Sequence, residues 1–143
     1  MDAAGKRTRS IRADGARTKA AILQGAARLA SVEGLEGLTI GGLAANLSMS
    51  KSGLYAHFGS KVELQLATID EAARVFYAEV VSPALAAEPG RRQLLALCDA
   101  YLAYLRRRTF PGGCFFAAAA LEMGSRPGPV RDRIGRASCR ERV

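Results

Sequence analysis

Histidine occurs once in the sequence, as His57, so there is no raw material for a histidine cluster or a nucleophile–histidine dyad. Cysteine is almost as sparse. Cys98, Cys114 and Cys139 have no metal-ligand spacing, and their odd number argues against a disulfide framework. The expected setting is therefore reduced and cytoplasmic. No run of about 18 apolar residues occurs, so no spanning helix is expected. Residues 1–16 are polar and basic without an apolar centre, and do not read as a secretory signal. Strand-like alternation, internal repeats and a phosphate loop are missing too. These absences predict no catalytic residue, no metal, no cofactor and no membrane partner: the chain is not read as an enzyme.

Basic charge is plentiful. Lys and Arg number 21 against 13 Asp and Glu, for a net charge of +8. That balance favours an acidic partner, either nucleic acid or an anionic membrane surface, without choosing between them. Hydrophobic residues make up 49% of the sequence, enough for a packed core. A length of 143 residues accommodates one ordinary domain, or a small one plus part of another.

The apolar periodicity is helical, so the fold class is all-α. Residues 1–15 read as a disordered basic arm, with Lys6, Arg7, Arg9 and Arg12 in it. A first helix is predicted over 17–33. Ile22, Ala26, Leu29 and Ala30 form one stripe, and Gly34 stands at the C-cap. Thr39 is an N-cap for a helix over 40–47, and Ser50 for one over 51–57. Ser60 with Glu63 has capping-box spacing and opens a fourth helix, which runs to about residue 81, where Ser82-Pro83 stops or kinks it. A fifth helix, 91–108, carries Leu94, Cys98, Tyr101 and Leu105, with Leu95 and Leu102 beside them. Cys98 and Cys114 read as packing residues, and Arg106 to Arg108 as a solvated helix end. Residues 114–123 are apolar nearly all round, so they form a core or interface helix. A further helix opens at Val130.

The segment 39–58 carries the functional signal. Two short helices are joined by a tight turn. The first packs inward through Leu43 and Leu47. The second is too polar to be a core element, and Leu54 and Phe58 anchor it at i, i+4. Its open face holds Ser50, Lys51, Ser52, Tyr55 and His57. This is a helix-turn-helix arrangement, whose second helix enters a major groove. Thr39 at its helix start suits a phosphate. Lys51 and Lys61 suit phosphates or a guanine edge, and Tyr55 and His57 suit phosphate or sugar contacts. Capped short helices joined by a turn argue against a basic amphipathic membrane-surface protein.

The run Ser50-Lys51-Ser52-Gly53-Leu54-Tyr55-Ala56-His57-Phe58-Gly59-Ser60-Lys61-Val62-Glu63-Leu64, with Leu38-Thr39-Ile40 and Leu43-Ala44 before it, resembles the DNA-binding domain of tetracycline-repressor-type (TetR family) regulators. The resemblance covers residues 16–76. It implies that Thr39, Ser50, Lys51, Tyr55, His57 and Lys61 touch DNA, mostly through phosphates; Ser52, on the same open face, is counted with them as a DNA-binding residue. It also implies a bacterial, ligand-responsive repressor binding a palindromic double-stranded operator as a homodimer. Ser48 stands where the family has a turn glycine, and a serine at φ > 0 costs about 1 kcal/mol.

Residues 77–133 resemble the start of the family's ligand-binding and dimerisation domain, with Phe110-Pro111-Gly112-Gly113-Cys114-Phe115 and Arg126-Pro127-Gly128-Pro129-Val130-Arg131-Asp132 in place. The implied small-molecule effector is unknown, and no ligand-binding residue is assigned. Residues 134–143, IGRASCRERV, resemble a one-frame translation of a sequencing adapter. The expectation is a C-terminally truncated regulator with an artefactual tail. The alternative to a working repressor is a non-functional fragment that cannot dimerise, with Phe115, Phe116 and Leu121 exposed.

Overall fold

In the computed structural model the backbone is described for residues 3–138 and the side chains for residues 14–138. Among these residues there is no strand. Eight helices follow one another: α1 (Ala3–Gly37), α2 (Ile40–Asn46), α3 (Lys51–His57), α4 (Lys61–Phe76), α5 (Ser82–Leu85), α6 (Arg91–Arg107), α7 (Phe115–Met123) and α8 (Pro129–Ser138). A π-helical turn, Tyr77–Val81, joins α4 to α5.

The expected disordered arm is helical from Ala3 onward. Residues 3–16 contain no proline, and extending an existing helix needs no new nucleus, so the two glycines there do not stop it. Met1, Asp2 and the side chains of Lys6, Arg7, Arg9 and Arg12 lie outside the described residues. Gly34 breaks the helical geometry with φ 79°. The last turn of α1, Leu35 to Gly37, therefore points in a new direction.

Ile22, Ala26 and Ala30 of the expected stripe are buried, joined by Ala27. They pack with Leu43 and Ala44 of α2, Leu54 of α3, Phe58, and Leu64, Ile69 and Ala72 of α4. Each fully buried leucine or isoleucine contributes about 1.5–3 kcal/mol. This cluster fixes α2 and α3 on α1 and leaves their polar faces outward.

Helical backbone continues past Pro83 rather than stopping there. A proline ring collides with the carbonyl four residues back, here that of Glu79, and lacks an N–H. The chain widens into the π-helical turn at that place and continues through Ser82–Leu85.

Phe76 at the end of α4 meets Tyr101, Tyr104 and Phe116 edge-on, with ring centroids 5.5–6.3 Å apart. Phe110 and Phe115 extend the same aromatic core. Burial pushes the Tyr104 phenol well above its usual range. Phe115 and Phe116 are thus core residues rather than the exposed surface expected of a fragment; Leu121 alone of the three is exposed.

The stripe of α6 is corrected as well. Leu94, Leu95, Leu97, Cys98 and Leu102 are all exposed, and of this helix only Tyr104 is buried. Helical spacing gathers apolar residues on one face, but a face is buried only where another element covers it. The α7–α8 pair packs instead on α1 and α4. Residues 134–138 belong to α8, where Ile134 is buried beside Val130; residues 139–143, including Cys139, lie outside the described residues.

Candidate nucleic-acid interface

Each short helix of the motif starts on a local cap. The Thr39 hydroxyl accepts from the Gly42 N–H at 3.0 Å, and the Ser50 hydroxyl from the Gly53 N–H at 3.1 Å. The Ser60 hydroxyl accepts from the Glu63 N–H at 3.2 Å, while the Glu63 carboxylate takes the Gly59 N–H at 2.8 Å. That reciprocal pair is a capping box shifted by one residue from the ideal. Between α2 and α3 the chain turns through Ser48 at φ 53°, the left-handed conformation expected there. The Leu47 and Met49 amides bond back to Leu43 and Ala44 and lock the turn.

Helix α3 presents two unlike faces. Leu54 and Phe58 are buried, and Lys19 of α1 lies 5.6 Å above the Phe58 ring. Lys51, Ser52 and Tyr55 are exposed, the last at 57%. The Lys51 side chain passes over Gly41, where an added Cβ would meet Cε at 3.1 Å. Lys51 is thereby drawn to the first turn of α2, whose cap is Thr39. Ser52 donates to the Ser50 hydroxyl at 3.3 Å. His57 is half-buried in the last turn of α3, with its ring 6.3 Å from that of Phe58. No acidic residue stands in the first turn of α2 or α3, so nothing there neutralises the positive helix starts.

Lys61 is the member set apart. Its ammonium donates to the Glu36 carbonyl at 2.7 Å and lies 3.4 Å from the Glu36 carboxylate. Sequence reading assigned no role to Glu36, because the pair spans 25 residues and no local pattern links them. Thr39, Ser50, Lys51, Ser52 and Tyr55 are exposed on the caps and faces of α2 and α3, and His57 is half-buried at the end of α3. Lys61 stands where α4 meets the end of α1.

Known proteins resemble both halves. The profile of bacterial regulatory proteins of the tetR family matches residues 22–68, and that of the tetracyclin repressor-like C-terminal domain matches residues 90–141. The chain belongs to the TetR family. A solved TetR transcriptional regulator from Chloroflexus aurantiacus is 27% identical, with a TM-score of 0.77 over 87% of this chain and 63% of that one. A TetR-family transcriptional regulator from Streptomyces coelicolor is 28% identical, with a TM-score of 0.69 over 85% of this chain and 65% of that one. The chain therefore spans slightly less than two thirds of either solved relative. No curated protein matches it. The motif of this TetR-family chain falls inside the first matched segment, and α6 to α8 fall inside the second, as far as Ser138.

Proposed function

We propose that this TetR-family chain is a DNA-binding transcriptional regulator of the bacterial cytoplasm, acting as a ligand-responsive repressor. One observation carries the reading: α3 is anchored by Leu54 and Phe58 while its outward face holds Lys51, Ser52 and Tyr55 in the open. A helix of this size fits the major groove. Lys51 and Lys61 supply charge to phosphates or to a guanine edge. Thr39 and Ser50 donate hydroxyls to phosphate oxygens, Ser52 supports the Ser50 hydroxyl, and Tyr55 and His57 contact phosphate and sugar. Two copies on a palindromic operator would place their α3 helices about 34–36 Å apart. An effector held among the C-terminal helices would change that spacing and release the DNA.

The operator can be found by letting the protein select duplexes from a random pool. The enriched sequence should contain two inverted half-sites. Lys51→Ala and Tyr55→Ala should each weaken its binding about fivefold to tenfold, measured by fluorescence anisotropy. Unchanged affinity in both variants would remove α3 from the interface.

A second reading, a fragment that cannot dimerise, is favoured by the exposed leucines of α6 together with Leu121 at 87% exposure. On that reading the chain elutes as a monomer in size-exclusion chromatography, and a clean dimer contradicts it.

A further inference from the structure

The Leu35–Glu36 turn is gripped from both sides. Glu122 of α7 accepts the Leu35 N–H at 2.8 Å through one carboxylate oxygen and the Glu36 N–H at 2.9 Å through the other. The carbonyls of the same two residues are taken from α4. Gln65 donates to Leu35 at 2.7 Å, and Lys61 to Glu36 at 2.7 Å. Arg126, just beyond α7, reaches the Glu36 carboxylate at 3.6 Å. Gly34 makes room for this grip: an added Cβ would stand 2.7 Å from a Glu122 oxygen, at a φ of 79°. Three consecutive peptide units at the end of α1 thus stand between a helix of the second half and the ammonium of Lys61. The carboxylate on the Glu36 N–H polarises the Leu35–Glu36 peptide, whose carbonyl Gln65 takes. Lys61 uses the next carbonyl along, so its tie to Glu122 is one of position.

We infer that Glu122 is a positioning residue for DNA binding, holding the Leu35–Glu36 turn in the geometry that presents Lys61 to a phosphate. The inference rests on the reading of Lys61 as a DNA contact. It supplies a route by which a shift of α7 changes the reading surface without touching α3. Neutralising Glu122 loosens the turn, and the Lys61 ammonium loses its fixed place.

The test is a double-mutant cycle in the 143-residue chain. Binding to random-sequence duplex DNA is measured at low salt for Glu122→Gln, Lys61→Ala and the double variant. Lys61→Ala should lower the salt slope by about one. Glu122→Gln should weaken binding about threefold to tenfold in the presence of Lys61, and by less than about twofold in its absence. Amide hydrogen exchange should accelerate at Leu35 and Glu36. Equal weakening in both backgrounds marks Glu122 as merely structural and overturns the inference, as does an unchanged affinity in Glu122→Gln. If Lys61→Ala binds like the parent, Lys61 leaves the interface and the inference falls with it. The reading of α3 then still stands or falls on Tyr55→Ala. Should Glu122→Gln unfold, Glu122→Asp, whose shorter arm cannot span both amides, carries the same test.

Discussion

Ser48 and Gly112 hold backbone positions that few residues can share, and they predict opposite outcomes. At φ 53° Ser48 pays a steric penalty that glycine escapes. Ser48→Gly should stabilise the chain by up to about 1 kcal/mol, raising Tm by a few degrees in thermal denaturation. Gly112 lies against α1, where its N–H donates to the Ser31 hydroxyl at 3.1 Å. A Cβ at Gly112 would fall 1.7 Å from the Ser31 carbonyl oxygen, which is backbone and cannot swing aside. Gly112→Ala should therefore destabilise by at least about 2 kcal/mol, and an unchanged Tm would contradict the close approach. The Ser48 turn could be read from the sequence because its neighbours set it. The contact at Gly112 could not, because its partner lies 81 residues away and the Pro111-Gly112-Gly113 run reads only as a break.

The short helices of the motif depend on their caps more than on their length. Seven residues is too short for a helix to persist alone, so α3 exists through the Ser50 cap and its buried Leu54. Ser50→Ala should cost about 1 kcal/mol in chemical denaturation, concentrated in the protection of α3 amides, and full protection there would contradict the role of the cap. Caps are local, and this is why the starts of α2, α3 and α4 were legible in advance. So was the inward face of α1, because its stripe meets α2 and α4 directly. The burial of α6 was legible only in part: Tyr101 and Leu105 of its stripe pack against the core, whereas Leu94, Leu95, Leu97 and Leu102 stay exposed. The helical N-terminal segment was missed as well. Basic composition reads as solvated coil, whereas attachment to a formed helix lets the same residues continue it. Of the candidate site, the exposure of Lys51, Ser52 and Tyr55 opposite the buried Leu54 and Phe58 was legible from the spacing on α3. The grip of Glu122 on Leu35 and Glu36 was not, since it closes over 86 and 87 residues.

At the scale of the whole molecule, two unlike halves share the α1–α4 core. The first leaves polar residues of α2 and α3, with Lys51 among them, facing outward, and the second builds an aromatic core around Phe76 and Tyr104. Glu122, Arg126 and the Arg133–Asp70 ion pair connect them. Exposed ion pairs contribute little on their own, so the carboxylate grip on backbone amides is the connection expected to matter. With a net charge of +8, duplex DNA will bind this chain to some degree whatever its fold. Affinity alone is therefore a weak test, and the place of contact is the strong one. The most direct measurement is an NMR titration of the labelled chain with the selected duplex, read residue by residue. Amide shifts concentrated on Thr39, Ser50 to His57 and Lys61 are the predicted result. Shifts spread over α6 to α8 with α3 unmoved would contradict the account.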